Sequence, residues 1–187
     1  MGKLIVWNIA SLDGYFEGET PWDLALHETI WGPELEALSD AQLNDAEALI
    51  FGRRTYEGMA AHWTSETGEP GDITSAMNTL PKIVVSNSLK RADWNNTTII
   101  SGDVVGQLRQ RKAEAQKTLY VFGSADLLKT LLPAGLVDEY RLGIAPLLLG
   151  RGNRLFKPMP ETIPLALEKT QPLRNGGIVL YYRVGAP

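Results

Sequence analysis

The spacing of apolar and polar residues changes along this chain, and each change marks an element. Lys3 to Ala10 is apolar and rich in β-formers, which predicts a central first strand. The stretch "SLDGYFEGETPW" that follows, with two glycines, acids and a proline, reads as a loop. Asp23 to Glu47 is patterned as helix, broken at Gly32-Pro33, with Ser39 and Gln42 spaced as a capping box for the second piece. Ala48 to Gly52 is a short buried strand. It runs straight into a helix over Arg53 to Trp63, where Tyr56, Met59, Ala60 and Trp63 fall at helical spacing. "TSETGEPGD" is a polar loop, and Asp72 caps a helix reaching Thr79, before Pro81. Lys82 to Ser86 and Thr97 to Ser101 are the third and fourth strands, followed by a helix from Asp103 to about Gln116. "TLYVFG" is a fifth strand, and "SADLLKTLLPAG" a helix stopped by Pro133 and Gly135. Val137 to Leu149 is β-rich despite Pro146, and the tail alternates around Asn175-Gly176-Gly177, a hairpin signal. The order is α/β, then antiparallel β, with no repeat and no linker. It predicts one domain over residues 1–187: a mixed, mostly parallel sheet flanked by helices in three layers, closed by a C-terminal antiparallel hairpin.

Composition narrows the function classes. The chain has 187 residues, 44% hydrophobic and 21% charged, enough to bury a core without staples. It has no cysteine, which removes disulfides, thiolate catalysis and zinc–sulfur sites, and only two histidines, too few for a multi-histidine metal site. Twenty-two acids against 18 bases, a net charge of −4, give no surface for a long nucleic acid. The basic run Arg109, Arg111, Lys112 and Lys117 is interrupted by Glu114 and reads as a solvated helix face. No apolar run approaches the ~20 residues of a membrane span. The start, "MGKLIVWNIA", has no secretory pattern, so the expectation is a cytoplasmic protein with neither membrane nor nucleic-acid partner.

Three strands end alike: Gly52-Arg53-Arg54-Thr55 then helix, Ser86-Asn87-Ser88, and Gly123-Ser124-Ala125-Asp126 then helix. In a parallel sheet these ends share an edge, where α/β folds bind ligands. Free N–H groups and the helix dipole there favour an anion, and glycine lets backbone approach it. The pattern suits a ligand with several phosphates. Neither a P-loop nor a G-x-G-x-x-G is present, so a dinucleotide would not bind in the Rossmann manner. No Ser–His–acid order stands out, which disfavours a hydrolase.

The segments "SLDGYFEG", "FGRRTYEGM", "KIVVSNSL", "LYVFGSADLLKTLL" and "GLVDEYRLGIAPLLLGRGNRLF", in this order and across nearly the whole chain, resemble dihydrofolate-reductase-like proteins. The resemblance is closest to the branch sharing the riboflavin-biosynthesis reductase C-terminal domain. It implies NADPH as hydride donor, a small, heterocyclic substrate such as a pterin or pyrimidine, and a homodimer. By position it gives Gly52, Arg53, Arg54 and Thr55 to the pyrophosphate and adenosine side. Gly123, Ser124, Ala125 and Asp126 form a second phosphate-binding helix start. Ser86 and Asn87, with Lys90 or Arg91, face the 2′-phosphate end, and Ile9, Ala10 and Phe122 line the nicotinamide pocket beneath a loop containing Gly14.

Two departures bear on the substrate. His27 stands in the phase where dihydrofolate reductases place the carboxylate that engages the pterin. "GRRTYEGMAAHW" stands where the riboflavin-pathway enzyme typically carries T-V-x-x-D-D-P. His27 and Asp13 are the candidate proton donors. Trp22, Trp31 and Tyr56, with His62 and Trp63, offer an aromatic wall for a flat substrate. The competing reading from another class is a nucleotide-binding or regulatory module of the same fold without turnover.

Overall fold

Strand β1 (Leu4–Ser11) is buried at every residue, as a strand covered on both faces must be. It lies inside an eight-stranded sheet. The computed structural model describes residues 2–66 and 72–185. Five more strands run parallel to β1: β3 (Ala46–Gly52), β4 (Lys82–Val85), β5 (Thr97–Ile100), β6 (Thr118–Phe122) and β7 (Glu139–Ala145). The hairpin β9 (Leu165–Pro172) and β10 (Ile178–Val184) turns through residues 173–177 and adds antiparallel to β7. The sheet order is β5-β4-β3-β6-β1-β7-β10-β9. The short strands β2 (Tyr15–Glu17) and β8 (Asn153–Arg154) pair by themselves. The expected mixed, mostly parallel architecture with its C-terminal antiparallel strands is what the chain adopts.

Alternation along β1 divides the core in two. Leu4, Val6 and Ala10 face one cluster, packed by α5 (Val104–Glu114) and α6 (Ala125–Leu131). Ile5, Trp7 and Ile9 face the other, with α1 (Ala25–Glu28), α2 (Pro33–Asp45), α3 (Arg53–Ser65) and α4 (Ile73–Thr79). Asp72 caps α4 as expected, its Oδ1 accepting from Ser75 N at 2.7 Å. Helix α2 corrects one expectation. It starts at Pro33 after Gly32, and Ser39 lies inside it, donating to Leu35 O at 2.9 Å. Proline at the first helical position, with Glu34 and Glu36 in the first turn, already supplies a start signal. Within the loop expected over 11–22 the chain forms β2, and β8, too short to show a period, was not foreseen. The centre of the polar loop expected over 64–72 lies outside the described residues. Among the described residues no helix is long and apolar enough to cross a membrane.

Candidate active site

The parallel strands β3, β6 and β1 deliver their C-terminal ends to one edge. There a cleft of about 1900 Å³ opens between the two helix layers. Gly52, Arg53, Arg54 and Thr55 line it, as do Phe122, Gly123, Ser124, Ala125 and Asp126. Direct bonds tie the two β–α junctions together. Gly52 N donates to Ser124 Oγ at 2.8 Å, and Ser124 N donates to Thr55 Oγ1 at 3.1 Å. Ser124 Oγ donates onward to Phe122 O at 3.0 Å. The Ser124 hydroxyl proton is therefore spent inside the fold. The Thr55 hydroxyl, used as an acceptor, keeps its proton for a ligand. Neither α3 nor α6 has a side chain capping its first turn, so their leading amides stay open to an anion. Gly123 and Ser124 are both left-handed, at φ 58° and 64°, which turns the chain sharply from strand to helix.

Asn8 supports this turn and carried no sequence signal beyond being a polar residue in an apolar strand. Its Nδ2 donates to Gly123 O at 2.9 Å while its Oδ1 accepts from Tyr140 Oη at 2.6 Å. Arg53 pairs with Glu57 one turn along α3, at 3.1 Å, whereas Arg54 is exposed and has no ion pair among the described residues.

The far half of the cleft is lined by Trp7, Ile9, Trp22, His27, Trp31, Gln42, Leu43, His62 and Trp63, among others. Trp22 has φ 68°, a strained value for a bulky residue. It is held there by Glu17 Oε1, which accepts from Trp22 N at 2.6 Å, and by its ring packing against Gly58 of α3, where a Cβ would overlap it. Desolvation by burial lowers the His27 pKa to about 4, outweighing the nearby Phe16 backbone, which favours the charged ring. It is a neutral imidazole at pH 7, so it holds no extra proton for the donor role expected of it.

Several expected site residues lie elsewhere. Asp13 is turned away from the cleft and accepts from Ser11 Oγ (2.6 Å), Leu149 N (3.0 Å) and Gly150 N (2.8 Å). These bonds, the Ser11 hydroxyl first, lower its pKa to about 2, so it is a loop latch and a poor proton donor. Gly14, at φ 86°, closes the same turn and does not line the cleft. Ala10 follows Ile9 and so points to the opposite core. Tyr56 is only 4% exposed and packs against Trp94, whose backbone N donates to its hydroxyl at 3.1 Å; it is core, not substrate wall. Ser86 and Asn87 stand at the same sheet edge but are spent on the fold: Ser86 Oγ closes its own turn by accepting from Leu89 N, and Asn87 Oδ1 accepts from Gly102 N beyond β5. Arg91 pairs with Asp93.

Residues 2–179 match the RibD C-terminal domain. The chain is 25% identical over 185 residues to the uncharacterised protein YyaP of Bacillus subtilis, covering 96% of this chain and 94% of that one. Among solved structures it resembles a putative riboflavin biosynthesis protein from Shewanella sp. PV-4, with TM-score 0.79, 19% identity and 98% and 99% of the two chains covered. It also resembles a dihydrofolate reductase from Enterococcus faecalis complexed with NADP(H), with TM-score 0.66, 15% identity and 98% and 97% covered. A pyrimidine reductase-like protein from Corynebacterium diphtheriae matches with TM-score 0.65, 15% identity and 99% and 92% covered.

Proposed function

The chain belongs to the RibD C-terminal domain family and has a reductase-type fold, and from these together with the cleft we propose that it is an NADPH-dependent reductase of a small heterocyclic substrate. The observation that carries the reading is the bonded pair of junctions, Gly52 to Ser124 and Ser124 to Thr55, on the wall of one cleft. Two uncapped helix starts side by side, with a guanidinium that no carboxylate among the described residues claims, suit a pyrophosphate and a further phosphate. The dihydrofolate reductase it resembles was solved with NADP(H), which supports the same choice.

In this reading the leading amides of α3 and α6 and the Thr55 hydroxyl hold the pyrophosphate, and Arg54 serves the 2′-phosphate. Ile9 and Phe122 flank the nicotinamide. The bound cofactor would supply a hydride, and the protein's task is to set an electrophilic C=N, C=C or C=O beside it. Trp22 and Trp31 cover the opposite half, where a flat ring would be shielded from water. The protein acts as a homodimer on a small molecule.

Thermal denaturation with and without NADPH tests the cofactor. NADPH at saturating concentration should raise the melting temperature by several degrees, and NADH by less. Arg54→Ala should cost about tenfold in NADPH affinity, roughly 1.4 kcal/mol, and leave NADH almost untouched. Equal losses for both would place Arg54 on the pyrophosphate, and no stabilisation by either would sink the proposal. Consumption of NADPH with pterins or pyrimidinones then separates an enzyme from a binding module of the same fold.

A further inference from the structure

Two buried polar residues stand behind the cleft wall. Asn8 is 3% exposed in the mostly apolar strand β1. Tyr140, 2% exposed, belongs to the core cluster on the α5 and α6 side and does not line the cleft. Their bonds cross the sheet in the order of its strands, from β7 to β1 to β6 and on to α3, the helix that follows β3. Tyr140 Oη meets Asn8 Oδ1 at 2.6 Å, Asn8 Nδ2 meets Gly123 O at 2.9 Å, and Ser124 N meets Thr55 Oγ1 at 3.1 Å.

Chemistry fixes the direction of every bond in this row. A backbone carbonyl only accepts, so the Asn8 amide turns its NH₂ group to Gly123 and its oxygen to Tyr140, and the tyrosine must donate. Burial pushes the Tyr140 pKa upward, so the phenol keeps that proton. Gly123 O and Ser124 N–H belong to one planar peptide unit and leave it in opposite directions. Asn8 therefore grips the oxygen end of this unit while Thr55 takes the hydrogen end. The Thr55 oxygen has accepted, and among the described residues nothing accepts its own proton. The last donor in the row is thus the Thr55 hydroxyl, half-buried on the cleft wall. All four donors point the same way, and aligned hydrogen bonds polarise one another. Ser124 cannot play this part with its side chain, because its hydroxyl proton goes to Phe122 O.

We propose that Tyr140 and Asn8 are positioning residues for the anion site: they fix the Gly123–Ser124 peptide and so commit the Thr55 hydroxyl to donating into the cleft. A site ending in a committed donor takes an acceptor, such as a phosphate oxygen, and refuses a donor. The proposal rests on the cofactor reading only for the name of that anion. A pair kept merely to satisfy its own buried atoms would contribute to stability and leave anion binding alone.

Calorimetric titration of NADPH and of inorganic pyrophosphate into the full chain tests this. Tyr140→Phe removes the first donor with the least change of shape, and it should weaken both anions about fivefold although Tyr140 does not line the cleft. Thr55→Val should cost about tenfold, and adding Tyr140→Phe to it should cost less than about twofold more, because the final donor is already gone. Thr55→Ser keeps the hydroxyl and should keep the fivefold effect of Tyr140→Phe. Asn8→Leu combined with Tyr140→Phe replaces the buried pair by apolar groups and carries the same test if Tyr140→Phe alone folds poorly. Effects of Tyr140→Phe and Thr55→Val that simply multiply, affinities untouched by the Tyr140 and Asn8 variants, or binding of neither anion would overturn the assignment. The two probes keep the readings apart. Pyrophosphate binding with the expected coupling but no NADPH binding defeats the cofactor and spares the relay. NADPH binding without the coupling defeats the relay and spares the cofactor.

Discussion

His27 carries a burden in the free protein that pH exposes. Its pKa falls from the ordinary 6.5 to about 4 because burial disfavours the charged ring. Between these values the unfolded chain binds the proton and the folded chain does not, so stability is lost as pH falls from about 6.5 to about 4. The integrated loss is on the order of 3 kcal/mol. Denaturant titrations across that range should show His27→Phe with a visibly flatter profile than the unmodified protein. Matching profiles would mean that the ring charges without resistance. Asp13 works lower on the scale. Its depressed pKa gives stability that is present above about 4 and fades toward pH 2. The place of Arg53, Arg54 and Thr55 on the cleft wall was readable in the sequence, because a strand-ending glycine that opens a helix sets them at the sheet edge. It was not readable for Gln42 or Asn8. A polar residue inside an apolar pattern says nothing about which atom lacks a partner.

At the scale of elements, the cleft depends on two close approaches. The first is the bond from Gly52 N to Ser124 Oγ, which joins the start of α3 to the start of α6. Ser124→Ala should destabilise the fold by about 1 kcal/mol in urea titrations. If the junction is the phosphate cradle, the same variant should weaken NADPH several-fold. The second is Trp22 on Gly58. A Cβ at Gly58 would overlap the indole ring. Helix propensity alone would make Gly58→Ala stabilising by about 1 kcal/mol. The overlap should instead expel Trp22 into water and red-shift the tryptophan emission, a change that should vanish in a Trp22→Phe background. An unaltered spectrum would show that the loop carrying Trp22 yields without cost. The sequence showed α3 and its glycine, but nothing in it linked Gly58 to Trp22, 36 positions earlier in the chain.

The sheet as a whole has two unequal margins. β5 ends one side with four residues, whereas β9 ends the other with eight, six of them exposed. Leu165 and Leu167 are 45% and 54% exposed on that strand, and among the described residues no strand pairs with its outer edge. A long edge with apolar side chains invites another strand. The proposed homodimer is expected to form there, and Leu167→Lys should convert a dimer to a monomer in sedimentation velocity while leaving the NADPH-induced melting shift in place. A monomeric unmodified protein would remove the dimer.

What the sequence determined by itself was local. Runs of β-formers, helical spacing, Pro33, Asp72 and the Asn175-Gly176-Gly177 turn act through neighbours a few positions apart, and they yielded the order of elements and the family resemblance. Sheet order, and with it the meeting of Gly52 with Ser124 across 72 positions, was settled only by tertiary packing. The same packing sent Asp13 and Tyr56 out of the cleft and brought Gln42 and Asn8 into it, because whether a polar atom finds its partner depends on distant segments that no local period encodes.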